Sequence, residues 1–468
     1  MQKKKLLIIS VGPVPTSSDS IVEGGGLRAW GLAQGLAKNG IDVTVAVSEN
    51  YKLEKTNHES GVKVCHWNFS NLNELISRFN SVYVPYSHGD LMEFVANNLD
   101  EKKQLIVDLY VPIYIEVLAR KIKGLVVEHD QYMNDLARWN KAFPRGDYFL
   151  CASETQYHFY NGALSVMGRV NPMTFETKIL DVVPYGIHDQ PLIHTKDVCR
   201  GVLMKKDDFM ILWFGGLYPW FDIKPLLIAI KKLSSIHTDI KLVILGGKNP
   251  FVTEKDFMQQ YDFALEFAKK EGLLDKNIFF VDWIPYEERN NWYIEADVVI
   301  NLHHKTRETI YSWRTRIIDF IWGEVPILST GGDEATEYLA KKDAAMLLDE
   351  NTEDEIVQKI EKLYEQKPLI LQMKENLKKI KKEFYWDVIT KDLASFINSG
   401  KISPDRQALL SLAKVDVDKK KTNISTNKNT RYYFKMSLKI LAQRGPKALV
   451  KKIYFFIKNF FDNRHNKL

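Results

Sequence analysis

Two arginines at the start of a predicted helix have the clearest capacity for chemistry. Arg314 and Arg316 lie in residues 308–326, ETIYSWRTRIIDFIWGEVP, with Glu308 expected on a loop ahead of the helix. Isoleucines spaced three and four apart predict a short helix that ends before Pro326. A helix N-terminus presents free N–H groups, and guanidinium groups pair with phosphate oxygens, so the pattern predicts a diphosphate site. The alternative is a plain helix–strand unit whose arginines are surface charges.

This stretch resembles the donor-site signature of the family 4 glycosyltransferases, enzymes with the GT-B fold. The family pattern is a Glu, seven residues, a second Glu, then Ala-Met-Ala-x-Gly-x-Pro and a buried strand. Asp319 takes the place of the second Glu, Tyr311 stands at the first, Glu308 is the nearest acid, and Glu324 replaces the Gly. With these departures, residues 308–319 resemble a divergent branch of the family. The resemblance also implies that Ser312 is a donor-site residue. The resemblance implies that Asp319 holds the nucleotide ribose and Glu308 the sugar hydroxyls.

A second strand–loop–helix begins near residue 211, with Gly215 and Gly216 directly after its strand. In the family, an Arg and a Lys from this region grip the donor diphosphate. Gly216 stands at the Arg position, so the resemblance implies that Lys224 takes the Lys role. It also implies that the two arginines of the signature replace the missing guanidinium. His303 ends a strand next to the signature and is expected to reach the donor.

A glycine-rich loop follows the first predicted strand. Residues 12–26 end in three glycines, and Arg28 projects from the first turn of the next helix. The loop lacks the G-x-G-x-x-G fingerprint, which disfavours a nicotinamide cofactor. In the family this loop borders the cleft between donor and acceptor, which implies that Gly25, Gly26 and Arg28 contact the donor. The alternative is a plain tight connection.

Polar residues follow three further strands in the first half of the chain: His88, Asp108 and His129. In parallel sheets ligands bind beyond the carboxyl ends of the strands, so these residues are expected at the cleft. The family usually has a His near the strand end where this chain has Asp108. The resemblance therefore makes Asp108 the expected sugar-contacting or charge-stabilising carboxylate. Its alternative role is that of a helix N-cap.

Alternating strands and helices over 468 residues predict two domains, each with a parallel sheet and helices on both faces. The hydrophobic fraction of 45% is that of a globular protein. We expect an α/β protein of the GT-B type, with an acceptor-side Rossmann-like domain at 1–198 and a nucleotide-sugar-binding Rossmann-like domain at 199–385. A crossover helix at 386–398 is expected to return to the first domain. A flexible linker at 399–430 and a basic amphipathic tail at 431–468 complete the prediction.

Cysteine usage and apolar run lengths limit the possible classes of protein. The three cysteines, Cys65, Cys151 and Cys199, are far apart and match neither disulfide nor metal-ligand spacing, which favours a reducing compartment and disfavours zinc. The apolar run at residues 6–11 is too short for a signal peptide and predicts a strand. No run approaches the length of a membrane-spanning helix.

The tail differs from the rest of the chain in charge. From residue 419 onward there are 14 Lys and Arg against one acid, a local net charge of +13, so the remaining 418 residues carry −7 of the total of +6. Between residues 447 and 462, apolar side chains share one helical face and lysines lie opposite. This pattern is typical of a helix in an anionic membrane interface. A nucleic-acid-binding tail needs the charge but not the apolar face, so we expect no nucleic-acid partner.

The residues and the resemblance together predict a metal-independent glycosyltransferase that retains anomeric configuration and needs no cofactor. Its expected partners are a nucleotide-sugar donor and a lipid-linked or cell-surface polysaccharide acceptor. The expected location is cytoplasmic, peripheral on the inner face of the cell membrane. One alternative is a catalytically inactive GT-B-shaped protein that anchors a glycan-assembly complex. Another is a nucleotide-sugar epimerase on the same fold, which the basic amphipathic tail disfavours.

Overall fold

Two parallel β-sheets form the centre of the described part of the chain. In the computed structural model this part comprises residues 3–15, 22–53, 58, 60–119, 127–250, 258–409 and 411. By internal packing the chain divides into residues 1–406, which contain both sheets, and residues 407–468. Of the second unit only 407–409 and 411 are described, and there the Ser411 hydroxyl donates to the Gln407 carbonyl at 2.8 Å.

The first sheet has seven strands, and those at its centre are buried on both faces. In chain order they are β1 (Lys5–Ser10), β2 (Asp42–Ser48), β3 (Lys63–Trp67), β4 (Ser81–Pro85), β5 (Gln104–Asp108), β6 (Tyr148–Cys151) and β7 (Leu180–Val182). All pair in parallel, in the spatial order β3-β2-β1-β4-β5-β6-β7. Leu6 and Ile8 of β1 enter one buried cluster and Leu7 and Ile9 another, because successive strand side chains alternate between faces.

The second sheet repeats this architecture. Its strands are β8 (Phe209–Phe214), β9 (Ile240–Leu245), β10 (Ile278–Val281), β11 (Val298–Asn301), β12 (Ile327–Thr330) and β13 (Ala345–Leu348). They pair in parallel in the order β10-β9-β8-β11-β12-β13. Here Ile211 and Trp213 of β8 enter one cluster, while Met210 and Leu212 enter the cluster that also contains Leu6. A single apolar cluster therefore spans both sheets.

Helices connect the strands in both domains. Those of the first domain are α1 (Gly24–Lys38), α2 (Leu72–Ser77), α3 (Gly89–Asn98), α4 (Ile113–Ala119), α5 (His129–Trp139), α6 (Ala142–Arg145) and α7 (Glu154–Val166). Those of the second are α8 (Lys224–Ser234), α9 (Gln259–Lys270), α10 (Arg289–Glu295), α11 (Arg307–Tyr311), α12 (Thr315–Trp322), α13 (Glu334–Lys341), α14 (Glu353–Glu365) and α15 (Lys367–Ile380). Two short helices follow, α16 (Trp386–Ile389) and α17 (Lys391–Ser399). Among the described residues, no helix combines the length and the apolar character needed to cross a bilayer.

The chain returns to the first domain through α16 and α17. Trp386 packs so closely on α1 that a Cβ on Gly31 would lie 2.0 Å from its ring. Phe396 stacks on Tyr148 of β6, with ring centroids 4.4 Å apart. These contacts pack two aromatic side chains of the return segment against α1 and β6, and so they fix this segment on the first domain.

The flexible linker was predicted at 399–430, but the residues up to Arg406 are held on the first domain. Arg169 pairs with Asp405 at 2.9 Å, Arg406 pairs with Asp147 at 2.5 Å, and these side chains are at most 2% exposed. Two buried ion pairs therefore hold the end of this unit on the first domain. No local pattern reveals them, because the partners are 236 and 259 positions apart. The predicted tail at 431–468 lies outside the described residues.

The strand order determines where a ligand site can form. In each sheet the order reverses beside its first strand in the chain, between β1 and β4 and between β8 and β11. A crevice forms beyond the carboxyl ends of the strands at such a switch point. The segments that follow Ser10, Pro85, Phe214 and Asn301 are therefore expected to border ligands. The predicted fold class, two Rossmann-like parallel sheets, is confirmed.

Candidate active site

Arg316 is a buried cation beside the loop that follows β8. The residue is 9% exposed, and its Nη2 donates to the Gly216 carbonyl at 3.0 Å. Its Cζ lies 3.9 Å from the ring centroid of Phe221. Burial, and then the charge of Arg314, lower the pKa of Arg316 to about 9. Within the described structure Nη1 has no hydrogen-bond partner, so an anion would satisfy both the charge and the free donor.

The start of α12 places both arginines at this loop. Arg314 is the N-cap of the helix, and the three isoleucines of α12 are buried, as predicted. Gly215 has a φ of +93°, and a Cβ there would lie 3.4 Å from Nη2 of Arg316. Glycine therefore provides both the left-handed backbone and the room for the guanidinium. From the first domain, Gly24 of α1 approaches so closely that its Cβ would lie 3.5 Å from Cγ2 of Thr315.

Glu308 stands beside Arg314, in the short helix α11 and not on a loop as predicted. The hydroxyl of Thr306 caps α11 by accepting from the Glu308 N–H at 3.2 Å. Oε2 of Glu308 is 3.0 Å from Nη2 of Arg314, with side chains 12% and 6% exposed. Ser312 lies between the two helices, and its hydroxyl donates to the Thr309 carbonyl at 3.0 Å. Glu308 is thus brought to the arginines, whereas the Ser312 hydroxyl already has a structural partner.

His303 follows β11 and is fully buried. Its Nε2 lies 3.4 Å from Oδ2 of Asp333, the N-cap of α13. Burial, and then the charge of Arg314, lower the pKa of His303 and favour its neutral form. Because the side chain is 0% exposed, it does not present itself to a donor as the sequence predicted.

Arg28 and Asp108 pair with each other, which corrects two predicted ligand contacts. Nε and Nη2 of Arg28 donate to Asp108 at 2.6 and 2.9 Å, and two further N–H groups donate to the Pro184 and Val183 carbonyls at 3.0 Å. The Tyr83 hydroxyl also donates to Asp108. Burial alone lowers the pKa of Arg28, but Asp108 raises it above its ordinary value. Each buried charge is neutralised by the other.

Asp319 and Lys224 have partners other than the arginine pair. Asp319 lies 3.9 Å from Nε of Arg289 in α10, and burial raises the pKa of its carboxyl group. Lys224 is exposed at the start of α8, with its ammonium 4.9 Å from the ring centroid of Phe263. The predicted roles of Asp319 at the ribose and of Lys224 at the diphosphate stay predictions.

A cavity of about 60 Å³ opens at the switch point of the first sheet. The Arg28–Asp108 pair lines it together with Gly25 and apolar side chains. A space of this size holds a few water molecules. Gly26 has a packing role, because a Cβ there would lie 1.8 Å from the Pro13 carbonyl oxygen. Of the two glycines predicted to contact the donor, only Gly25 lines this cavity.

Residues 199–380 match the family described as glycosyl transferases group 1. This range covers every strand of the second sheet and both arginines of the candidate site. Residues 199–380 are a group 1 glycosyl transferase domain. The predicted family resemblance is confirmed, although no curated protein sequence matches the chain.

Solved glycosyltransferase structures share the fold of this chain. Sucrose-phosphate synthase from Thermosynechococcus elongatus aligns with a TM-score of 0.63 and 12% identity, over 85% of this chain and 99% of that one. HepE from Anabaena in complex with UDP aligns with a TM-score of 0.58 and 12% identity, over 85% and 100%. WaaG, a glycosyltransferase involved in lipopolysaccharide biosynthesis, gives 0.56 and 14%, over 84% and 99%. The glycosyltransferase domain and the first domain thus form the predicted GT-B fold.

The sequence did not predict three side chains that join the glycosyltransferase domain to the first domain. The Tyr110 hydroxyl donates to the Trp313 carbonyl at 2.6 Å, and Nε2 of Gln156 donates to the Tyr311 carbonyl at 2.7 Å. The carboxylate of Glu334 accepts from two backbone N–H groups at the start of α7, at 3.0 and 2.7 Å. The Ser-x-x-Gln pattern that ends at Gln156 predicts a helix cap. No local pattern predicts a contact with a residue 155 positions later.

A group of metal-ligand side chains lies at the edge of the glycosyltransferase domain. Among the described residues, His194, Asp197 and Glu295 place their ligand atoms within 4.8 Å of one another. Glu295 already accepts the backbone N–H groups of residues 198–200 at 2.7–2.8 Å. These bonds hold residues 198–200, which lie between the two sheets, and so they explain why the cluster forms. It shares no residue with the arginine site.

Proposed function

We propose that the chain transfers a sugar from a nucleoside diphosphate sugar to an acceptor hydroxyl group. The observation that carries this proposal is Arg316, a buried cation in the first turn of α12 with an unused donor and no carboxylate partner among the described residues. Guanidinium and helix N–H groups together suit a diphosphate. HepE, which shares the fold, was solved with UDP, and this supports UDP as the first ligand to test.

The reaction breaks the bond between the anomeric carbon and the β-phosphate oxygen. The bonding electrons leave with the diphosphate, whose growing negative charge Arg316 and Arg314 stabilise. The acceptor oxygen forms the new bond on the same face of the sugar, and its proton passes to the departing phosphate, so the configuration is retained. Guanidinium groups supply the positive charge in this scheme, so we propose that transfer needs no metal ion and continues in EDTA.

The position of Arg316 supports its part in this scheme. Its guanidinium bonds the carbonyl of Gly216, the residue at which the family has its diphosphate-binding Arg. Arg316 thus supplies from α12 the charge that the loop lacks. Glu308, held 3.0 Å from Arg314, is the carboxylate placed to bond sugar hydroxyls next to the diphosphate. Asp319 remains our proposal for the ribose contact, on the resemblance alone.

Calorimetric titration with UDP and with uridine tests the proposal. We expect Arg316→Ala and Arg314→Ala each to weaken UDP binding by about 1.5–3 kcal/mol and to leave uridine binding unchanged, because only the diphosphate loses charged hydrogen bonds. Lys232→Ala is the control, since this lysine lies on the surface of α8 and pairs with Asp354. Equal losses for UDP and uridine would show that the arginines support the fold and bind no phosphate. A panel of nucleotide sugars, tested by thermal shift, then identifies the donor.

We further propose a lipid-linked or cell-surface polysaccharide acceptor at the inner face of an anionic membrane. The basic, amphipathic sequence of 431–468 supports this location. A second support is a pair of exposed apolar side chains in the first domain, Val166 and Phe175, which are 89% and 74% exposed. Exposed apolar side chains suit contact with a bilayer.

The other candidate is a GT-B-shaped protein that binds a nucleotide but transfers nothing, as a scaffold of a membrane glycan-assembly complex. The absence of an acid at Tyr311, where the family has its first Glu, keeps this candidate open. Donor consumption with and without an acceptor separates the two. Consumption that depends on an acceptor identifies a transferase, while tight UDP binding without any consumption identifies the scaffold.

A further inference from the structure

The backbone just before Arg314 is held from the first domain by two side chains. The Tyr110 hydroxyl donates to the Trp313 carbonyl at 2.6 Å, and Nε2 of Gln156 donates to the Tyr311 carbonyl at 2.7 Å. Tyr311 is the last residue of α11, and Trp313 lies in the short connection from α11 to α12. Because Arg314 is the next residue and the N-cap of α12, these bonds fix the point from which both arginines project.

Gln156 is itself fixed at both ends of its amide. Its Oε1 accepts from the Ala152 N–H at 2.8 Å, and its Nε2 donates to the Tyr110 carbonyl at 3.0 Å in addition to Tyr311. The residue is fully buried in the first turn of α7, whose N-cap, Ser153, accepts from its backbone N–H at 3.2 Å. A side chain with this many partners has one available orientation, so it transmits the position of the first domain to Tyr311.

Tyr110 is fixed by the Arg28–Asp108 pair. Its backbone N–H donates to Oδ1 of Asp108 at 3.2 Å, and Cζ of Arg28 lies 4.4 Å from its ring centroid. Burial raises the pKa of the Tyr110 phenol, so the hydroxyl stays protonated and remains a donor. The Arg28–Asp108 pair therefore holds Tyr110 in place, and the Tyr110 hydroxyl in turn holds the Trp313 carbonyl of the second domain.

A third contact closes the same side of the cleft. Glu334, the first residue of α13, accepts from the N–H groups of Glu154 and Thr155 at 3.0 and 2.7 Å. These N–H groups form the N-terminus of α7, where a carboxylate is favoured by the helix dipole. Glu154 and Thr155 lie in the first turn of α7, which also contains Gln156. All three contacts exist only while the two domains touch.

We propose that Tyr110 and Gln156 are positioning residues that couple domain contact to diphosphate binding. They hold residues 311–313 and, through them, the two arginines in the arrangement that binds an anion. By reciprocity, a bound nucleoside diphosphate stabilises the domain contact as much as the contact strengthens binding. This inference rests on the proposed function, since it assumes that the arginines bind a diphosphate.

Tyr110→Phe is the sharpest test, because it deletes one hydroxyl and keeps the ring under Arg28. The matched control is Tyr160→Phe, which deletes a buried hydroxyl that donates to the Val111 carbonyl at 3.1 Å inside the first domain. We expect Tyr110→Phe to weaken UDP binding about two- to tenfold, the range for one lost hydrogen bond, with uridine binding unchanged. Tyr160→Phe should leave UDP binding unchanged. Gln156→Met should weaken UDP binding at least as much as Tyr110→Phe, since it removes both donor contacts of the amide.

Hydrogen exchange of the ligand-free protein provides a readout that does not depend on nucleotide. Peptides covering residues 309–318 should exchange faster in Tyr110→Phe than in the wild type, and at the wild-type rate in Tyr160→Phe. An unchanged exchange rate in Tyr110→Phe would overturn the positioning inference, whatever UDP does. Equal effects of the two Tyr→Phe variants on UDP binding would overturn it as well. A wild-type chain that binds UDP no more tightly than uridine would instead overturn the proposed function.

Discussion

Arg28 of α1 and Asp108 of β5 form a bidentate ion pair in the interior of the first domain, with Nε–Oδ2 and Nη2–Oδ1 distances of 2.6 and 2.9 Å. The two residues are 2% and 4% exposed and come from positions 80 apart in the sequence. Arg28 was expected to face a ligand because the loop before it borders the cleft in the family, and Asp108 because it ends a strand of the parallel sheet. In the folded chain they neutralise each other and support Tyr110.

Asp108→Asn should lower the stability of the first domain by about 3–5 kcal/mol, because it leaves the Arg28 guanidinium buried without a counterion. Thermal unfolding followed by circular dichroism measures the effect. Asp189→Asn is the control, since it breaks the pair of Asp189 with Lys38, whose side chains are 51% and 52% exposed, and should shift the midpoint little. A variant with normal stability and lost turnover would return Asp108 to the role of a sugar-contacting carboxylate.

UDP affinity should depend on the protonation of Arg316. The folded-state pKa of about 9 lies below the ordinary value of 12.5. Burying the charged guanidinium group therefore lowers the stability of the fold below pH 9, and this loss of stability decreases as the pH rises above 9. A bound anion reverses this shift. We therefore expect constant affinity from pH 7.5 to 8.5 and a fall above pH 9, measured by calorimetry. Arg316→Met carries no titrating group, so the same fall in that variant would assign it to other groups.

Glu308→Gln should separate catalysis from binding. The substitution keeps the shape of the side chain but removes the charge that pairs with Arg314 at 3.0 Å. We expect kcat to fall about 10²-fold or more, as when a group that stabilises the transition state is lost, with UDP affinity unchanged or higher. Steady-state kinetics and UDP titration measure the two effects. The exposed Glu365 of α14 provides the control, Glu365→Gln. Near-normal turnover in Glu308→Gln would refute its assignment to the donor site.

Glu324 stands where the family has a glycine, and its φ of +53° lies in the left-handed region. Its side chain pairs with Lys381. Because Glu324→Gly and Glu324→Ala both lose this pair, comparing them isolates the backbone term. We expect the Gly variant to be about 1–2 kcal/mol more stable than the Ala variant, since this is the cost of a Cβ in the left-handed region. Urea denaturation of both variants measures the difference, and an Ala variant of equal or greater stability contradicts the explanation.

Truncation should distinguish the docked residues 403–406 from the tail. A chain ending after residue 411 keeps both buried ion pairs and should melt like the full chain but lose binding to anionic vesicles. A chain ending after residue 400 loses both pairs and should melt lower. Vesicle binding by the full chain should need anionic lipid and weaken as salt rises. If the full chain ignores such vesicles but shifts a nucleic-acid probe at the same salt, the membrane proposal is wrong.

The sequence by itself determined the architecture of this protein. Apolar strands alternating with helices predict parallel sheets, because such strands must be covered on both faces. The helix that carries Arg314 and Arg316, its buried isoleucines and the strand after Pro326 follow from local spacing, which depends on residues at most four apart. The family signature has the same local character, and so it was visible without a structure.

The tertiary structure alone decided which polar residues remain available to a ligand. A buried charge is stable only if paired, and its partner can come from any part of the chain. Asp108 pairs with Arg28, and Asp405 and Arg406 pair with residues more than 200 positions away. Arg316 has no carboxylate partner among the described residues. Local sequence shows the types of these residues but not their partners. The presence of a carboxylate partner for Arg28 and the absence of one for Arg316, set by the packing of the two domains, is what separates these two buried arginines.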